Sequence, residues 1–342
     1  MAKRLGRYTL ALENPVHIQG YAAVGSKMER EGPLGDRFDI LNDDSYFGQK
    51  TWEKAESIMQ KQACQRALDK AKMKEEDMDY IFAGDLLNQC ISSSFSIRDL
   101  GIPFFGLYGA CSTMSESISL AAMLLEGRMA DRCLASTSSH FCTAERQFRF
   151  PLEYGGQRPP SSTWTATAAG AVVLDNDPDS AKTSVKAVTA GRIIDLGVTD
   201  QNNMGAAMAP AAADTIAHFF TDTSVKLEEI DGIYTGDLGT VGSELLYELL
   251  DREGLDIRGK HQDCGLLLYD RNKQDVHAGG SGCGCSAAVL CTHLLPELER
   301  GSIKNILFLA TGALLSTTSV QQNESIPGIA HLVQLCKETK GE

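Results

Sequence analysis

Apolar positions recur at helical spacing through residues 51–74 (TWEKAESIMQKQACQRALDKAKMK), and the stretch ends in charge. This predicts an amphipathic helix. DYIFAGD, 79–85, then reads as a short strand, and IPFFGLYGA, 102–110, as a second. CSTMSESISLAAMLLEG, 111–127, opens on small and polar residues and continues as an apolar helix. RCLASTSS, 132–139, and ATAAGAVVLDN, 166–176, are apolar runs of strand length. AMAPAAADTIAHFF, 207–220, reads as a helix packed through alanines, in a core or an interface. Strands alternating with helices predict an α/β fold with a largely parallel sheet and helices on its faces.

The second half of the chain repeats the plan. Asp79, Ile81, Gly84, Asp85 and Leu86 match Asp231, Ile233, Gly236, Asp237 and Leu238 at one constant offset. After Cys111-Ser112 come an apolar helix, Glu126-Gly127-Arg128 and the strand CLASTSS. After Cys285-Ser286 come an apolar helix, Glu299-Arg300-Gly301 and the strand LFLATGA. Two matches in the same order, with the same implied elements around them, indicate an internal duplication. The join is expected in the polar stretch DNDPDSAKT, 175–183, giving halves at 1–178 and 179–342.

Composition narrows the function classes. The chain has 342 residues, with 32 Lys plus Arg against 45 Asp plus Glu, a formal charge of -13. That balance argues against a nucleic-acid binder and against direct adhesion to anionic lipid, both of which need basic patches. No run of 18 apolar residues occurs, so no membrane span is expected. The start, MAKRLGRYTLALENP, is not read as a secretory signal, because Glu13 and Pro15 end its short apolar stretch. The ten cysteines are scattered through apolar segments, the usage of a reducing compartment. No CxxC pair occurs, so neither a metal nor a cofactor is expected.

Cys111 is the strongest chemical candidate. A strand delivers it through Gly109-Ala110, and a helix begins at or just after it. A helix N-terminus favours the thiolate, and the turn has the plan of a nucleophile elbow with Cys in place of Ser. The bland alternative is a buried structural thiol. Asp85 and Asp237 each follow a glycine at a strand's C-terminal end, where open α/β sheets place ligands. The alternative is that both are helix caps. His140 ends the strand LASTSSH, either as a partner for Cys111 or as a satisfied structural residue. Arg146, Arg149 and Arg158 stand among aromatics and glycines. They suit two-point binding of a carboxylate, or else pair with Glu145 and Glu153. The run from His277 to Cys285, with Ser281 inside it, mirrors the Cys111 loop and exposes backbone N–H groups to an anion or oxyanion.

A duplicated βα half with a nucleophilic Cys heading a buried helix resembles the thiolase-like fold of thiolases and ketoacyl-synthases, a layered α-β-α-β-α body. Within it, the chain closely resembles the stage V sporulation AD family of spore-forming bacteria. The segments GACSTMSES, TSSHFCTAERQFRFPLEYGGQRP, GRIIDLGVTDQNNMGAAMAPAAADTI, HAGGSGCGCSA and ATGALLSTTSVQQNESIPGIAH carry that likeness. The resemblance implies a peripheral subunit on the cytosolic face of the spore inner membrane. Its ligand would be dipicolinic acid (pyridine-2,6-dicarboxylate), with or without calcium, and its partners membrane-embedded sporulation transport subunits. It also implies a homodimer. Type III ketoacyl-synthases carry a His after the strand matching the one that ends at Gly236, and an Asn in the loop mirroring the Cys loop. Here Gly236-Asp237-Leu238 and Gly279-Gly280-Ser281-Gly282 stand in those places. Losing one oxyanion donor costs roughly 3–4 kcal/mol in the rate barrier. The expectation is therefore a fold that kept its pocket and lost its synthase chemistry. Cys111, Asp85, His140, Asp237, Ser281 and an Arg of the 146–158 run would line the ligand site. Two alternatives stand beside it: an acyltransferase using Cys111 on a coenzyme A or carrier-protein thioester, and a scaffold with a vestigial pocket.

Overall fold

The structure is a computed structural model and describes residues 2–148, 158–177 and 182–338. Its strands are β1 (Lys3–Leu5), β2 (Thr9–Gly25), β3 (Ile40–Leu41), β4 (Tyr80–Gly84), β5 (Phe104–Gly106), β6 (Arg132–Ser139) and β7 (Trp164–Thr165). These are followed by β8 (Ala168–Asp175), β9 (Thr183–Thr189), β10 (Gly232–Thr235), β11 (His261–Asp263), β12 (Gly280–Ser281), β13 (Asn305–Ala313) and β14 (Gly328–Lys337).

The main sheet runs β11-β10-β13-β14-β9-β2-β8-β6-β4-β5, with β1 and β3 attached to β2. Reading outward from the β9/β2 pair, each half contributes its strands in the same order: first, fifth, fourth, second, third. The duplication seen in the sequence is therefore a duplication of topology. The expected join, around 178–179, falls on residues outside the described ones.

The sheet is not largely parallel. Its flanks are parallel: β4 with β5 and β6, and β10 with β11 and β13. Its centre is antiparallel, from β6/β8 through β8/β2, β2/β9 and β9/β14 to β14/β13. The long antiparallel strands β2, β9 and β14 were not among those expected.

Three cores separate the layers. Strand side chains alternate in direction, so a strand buried on both faces feeds two cores. On β8, Val172 and Leu174 join the middle core, and Ala169, Ala171 and Val173 join an outer one. On β13, Ile306, Phe308 and Ala310 face the middle, and Leu307 and Leu309 face the other outer core. The outer helices are Trp52–Ala71 on the first half, and Met204–Thr223 with Gly239–Arg252 on the second. The middle helices are Thr113–Glu126 and the rod that starts at Cys283. Met114, Ile118 and Leu125 on the first are fully buried, each contributing about 2 kcal/mol of transfer energy. The second runs so close to β8 that a Cβ at Gly170 would lie 2.7 Å from the Cβ of Ala287. This packing brings the starts of the two middle helices to one place.

Candidate functional site

The Cys111 turn is built by local hydrogen bonds. Ala110 takes a left-handed φ of 50°, which reverses the chain between β5 and the helix. The Thr113 hydroxyl donates to the Ala110 carbonyl at 2.7 Å, and the Gly109 N–H donates to the Thr113 hydroxyl at 3.1 Å. Ser112 Oγ donates to the Gly109 carbonyl at 2.7 Å. These bonds fix Cys111 at the head of the middle helix, as expected. Its electrostatics are the reverse of expectation. Burial first, and the Asp237 charge second, push the thiol well above its ordinary pKa. The helix N-terminus does not offset them, so Cys111 is a thiol at neutral pH and not the nucleophilic thiolate.

Asp237 is the second member of the site. Thr311 Oγ1 donates to its Oδ1 at 2.8 Å, and Ser281 Oγ and the Gly282 N–H donate to its Oδ2 at 3.0 and 2.9 Å. The Cys111 thiol lies close enough to feel this carboxylate. Gly282 sits at φ 99°, a conformation open to glycine, and turns its N–H onto Asp237 at the start of the second middle helix. Burial raises the Asp237 pKa; these donors oppose the rise and hold part of it back. The Ser281 hydroxyl and the Gly282 N–H of the glycine-rich run are thus taken up by Asp237.

The other expected residues are placed elsewhere. Asp85 is buried, but its carboxylate accepts from the Leu87 and Ser93 N–H groups at 2.9 and 2.8 Å. Ser93 lies in the first turn of the helix Ile91–Arg98, so Asp85 works as a remote cap. His140 has both ring nitrogens engaged. Nε2 donates to the Ser45 carbonyl at 2.8 Å, and Nδ1 accepts from the Cys142 N–H at 3.1 Å. Burial lowers its pKa, so it is neutral and structural. Arg146 pairs with Glu53 and lies over the Trp52 ring. Arg158 binds the Asp275 carbonyl at 2.6 Å and lies over Trp164. Neither Arg is among the described residues that line the cleft at Cys111, and Glu153 lies outside the described residues. Arg149 lies outside the described residues. Of the expected set, Cys111, Asp237 and Ser281 converge.

A cleft of about 40 Å³ opens at Cys111 and Ser281. Its walls are mostly apolar, including Leu86, Tyr108, Phe148, Met204 and Leu315. Glu145 is the one charged side chain among the described lining residues. No cluster of three or more potential metal ligands occurs among the described residues. Sequence reasoning missed Thr311, Glu145 and the apolar wall. Thr311 was within reach, since it stands in the strand already aligned with CLASTSS. It also missed Glu56, fully buried on the outer helix, which accepts from Ser138 and Thr143 at 3.1 and 2.8 Å. Burial, then the neighbouring Asp85, pushes Glu56 up to about 8.

Comparison with known proteins fits this architecture. A 3-oxoacyl-[acyl-carrier-protein] synthase III from Aquifex aeolicus VF5 superposes with a TM-score of 0.56 at 15% identity, over 94% of this chain and 99% of that one. A variant of OleA from Xanthomonas campestris gives 0.60 at 16% identity, over 95% and 99%. These likenesses show the thiolase-like fold. At the sequence level, stage V sporulation protein AD of Bacillus subtilis (strain 168) is 45% identical over 329 residues, 96% of each chain. Residues 6–336 match the family described as stage V sporulation protein AD. On both counts, the chain belongs to the stage V sporulation protein AD family.

Proposed function

We propose that this chain is a non-catalytic, ligand-binding subunit of the sporulation machinery, and that its ligand is dipicolinic acid. The observation that carries the non-catalytic reading is the buried Asp237 carboxylate holding the Ser281 hydroxyl and the Gly282 N–H, beside a Cys111 thiol that burial keeps protonated. Thioester chemistry needs a thiolate and then donors free for the developing oxyanion. Here the thiol is held protonated and the donors are already engaged.

Dipicolinate enters through the family resemblance, and the cleft bears on how it would bind. About 40 Å³ holds little more than a water or two. Seating a ring with two carboxyls therefore requires a wall to give way, and the helix Phe141–Phe148 supplies Ala144, Glu145 and Phe148 to that wall. Dipicolinate has about 12 heavy atoms, so a binding energy of roughly 4–7 kcal/mol fits, a dissociation constant between about millimolar and ten micromolar. Weak binding suits a molecule moved in bulk. Membrane-embedded transport subunits would hold the protein at the spore inner membrane. No helix among the described residues is long and apolar enough to cross a membrane, which supports a peripheral place.

The test of the non-catalytic reading is intact-mass measurement after incubation with acetyl-CoA. The unmodified mass is expected. Stoichiometric acetylation mapped to Cys111 would establish the acyltransferase instead.

A further inference from the structure

Behind the cleft lies a buried acid that an incoming carboxylate must reckon with. Asp237 accepts a hydrogen bond from the Ser281 hydroxyl, and Ser281 lines the cleft beside Cys111. A ligand carboxylate seated at the head of the middle helix would seek the same hydroxyl. Two carboxylates sharing one donor set do not both stay ionised.

Among the described residues, the surroundings of Asp237 offer no cation to resolve the conflict. From the turn before the first middle helix it meets Cys111, and from the helix Cys264–Leu268 it meets Cys264. From the second middle helix it meets Cys283 and Cys285, and from the end of β11 it meets Asp263. β13 supplies Thr311 and β12 supplies Ser281, neither of which titrates near neutrality. All of these thiols are held protonated by burial, and Asp263 is a second acid, pushed up to about 7. Glu145 adds a further acid at the cleft wall. Burial has already brought Asp237 closer to protonation than an ordinary aspartate.

We propose that a carboxylate ligand binds at Cys111 together with one proton, which goes onto Asp237 and frees the Ser281 hydroxyl to donate to the ligand. The inference rests on the reading that this cleft takes dipicolinate. The proton comes from solvent, and the ligand carboxylate stays ionised. Because the complex holds one proton more than its separated parts, raising the pH opposes binding. Affinity then falls about tenfold per pH unit wherever free Asp237 is ionised. Such a site loads where the pH is lower and releases where it is higher.

The test is calorimetric titration of the full chain with dipicolinate, near neutral pH, in two buffers of different ionisation enthalpy such as PIPES and Tris. A pH series between about 6 and 8 and the variant Asp237→Asn accompany it. The wild type is expected to show apparent enthalpies that differ between buffers by one proton, with the dissociation constant rising about tenfold per pH unit. The variant is expected to show one enthalpy in both buffers and a flat pH profile. Wild-type binding with a buffer-independent enthalpy, or proton uptake that persists in Asp237→Asn, overturns the inference and leaves the binding reading standing. Absence of dipicolinate binding by the wild type at every pH overturns both. The two-buffer comparison needs only the wild type, so a buffer-independent enthalpy overturns the inference even if the variant does not fold.

Discussion

Asp85 and Asp237 follow glycines at the ends of corresponding strands, yet their surroundings give them different work. Asp85 spends its oxygens on the backbone of the loop and helix that follow it, and Asp237 reaches across to Ser281, Gly282 and Thr311. Behind Asp85 sits Glu56, whose folded-state pKa of about 8 lies above its ordinary value of 4.5. A folded chain that keeps a proton the unfolded chain has lost is less stable as pH rises through that window. Glu56→Gln is neutral at every pH, and it should gain stability relative to the wild type between about pH 5 and 8. Urea unfolding midpoints at the two ends of that range measure this. Midpoints that move in parallel would show that Glu56 does not titrate in this way. At this scale Cys111 was legible because its strand–turn–helix setting is local. Asp237 was legible because the duplication points to it. The partners of His140, Arg146 and Arg158 were not legible, because Ser45, Glu53 and Asp275 lie far from them in sequence.

Elements were legible where their pattern is local and continuous. RCLASTSS is β6 residue for residue, and the predicted helices are present. Strand direction was not legible. β2 was hidden by Glu13, Asn14 and Pro15, which fall at a shift of its register against β9 between Ala11 and Val16. A polar, proline-containing interruption reads as a strand end, but here the strand continues past it. β5 closes the sheet on one side, bonded only to β4, with its far edge open. Phe105 on that edge and Phe95 on the helix Ile91–Arg98 are 49% and 48% exposed. An open edge beside exposed aromatics invites pairing, and we propose that a second copy of the chain supplies it. Sedimentation velocity should give a dimer that Phe105→Asp converts to monomer. A wild-type monomer at tens of micromolar would refute the pairing.

The whole molecule places its site where the two halves meet. The cleft draws Leu86, Cys111 and Phe148 from the first half, and Met204, Ser281 and Leu315 from the second. The sequence disclosed the repeat, and so the fold, but the cleft depends on how the repeats dock. That docking is set by close approaches such as Gly170 against Ala287, which leave no local signature. The central claim is that this meeting point has become a binding site for a small dicarboxylate and no longer a place of thioester chemistry. Its test is saturable heat on titrating the folded chain with dipicolinate, beside the pocket-blocking variant Cys111→Arg. Saturation by dipicolinate with a dissociation constant between about millimolar and ten micromolar is expected, with loss of binding in the variant. Undiminished binding by Cys111→Arg, or no saturable heat from the wild type, would contradict it.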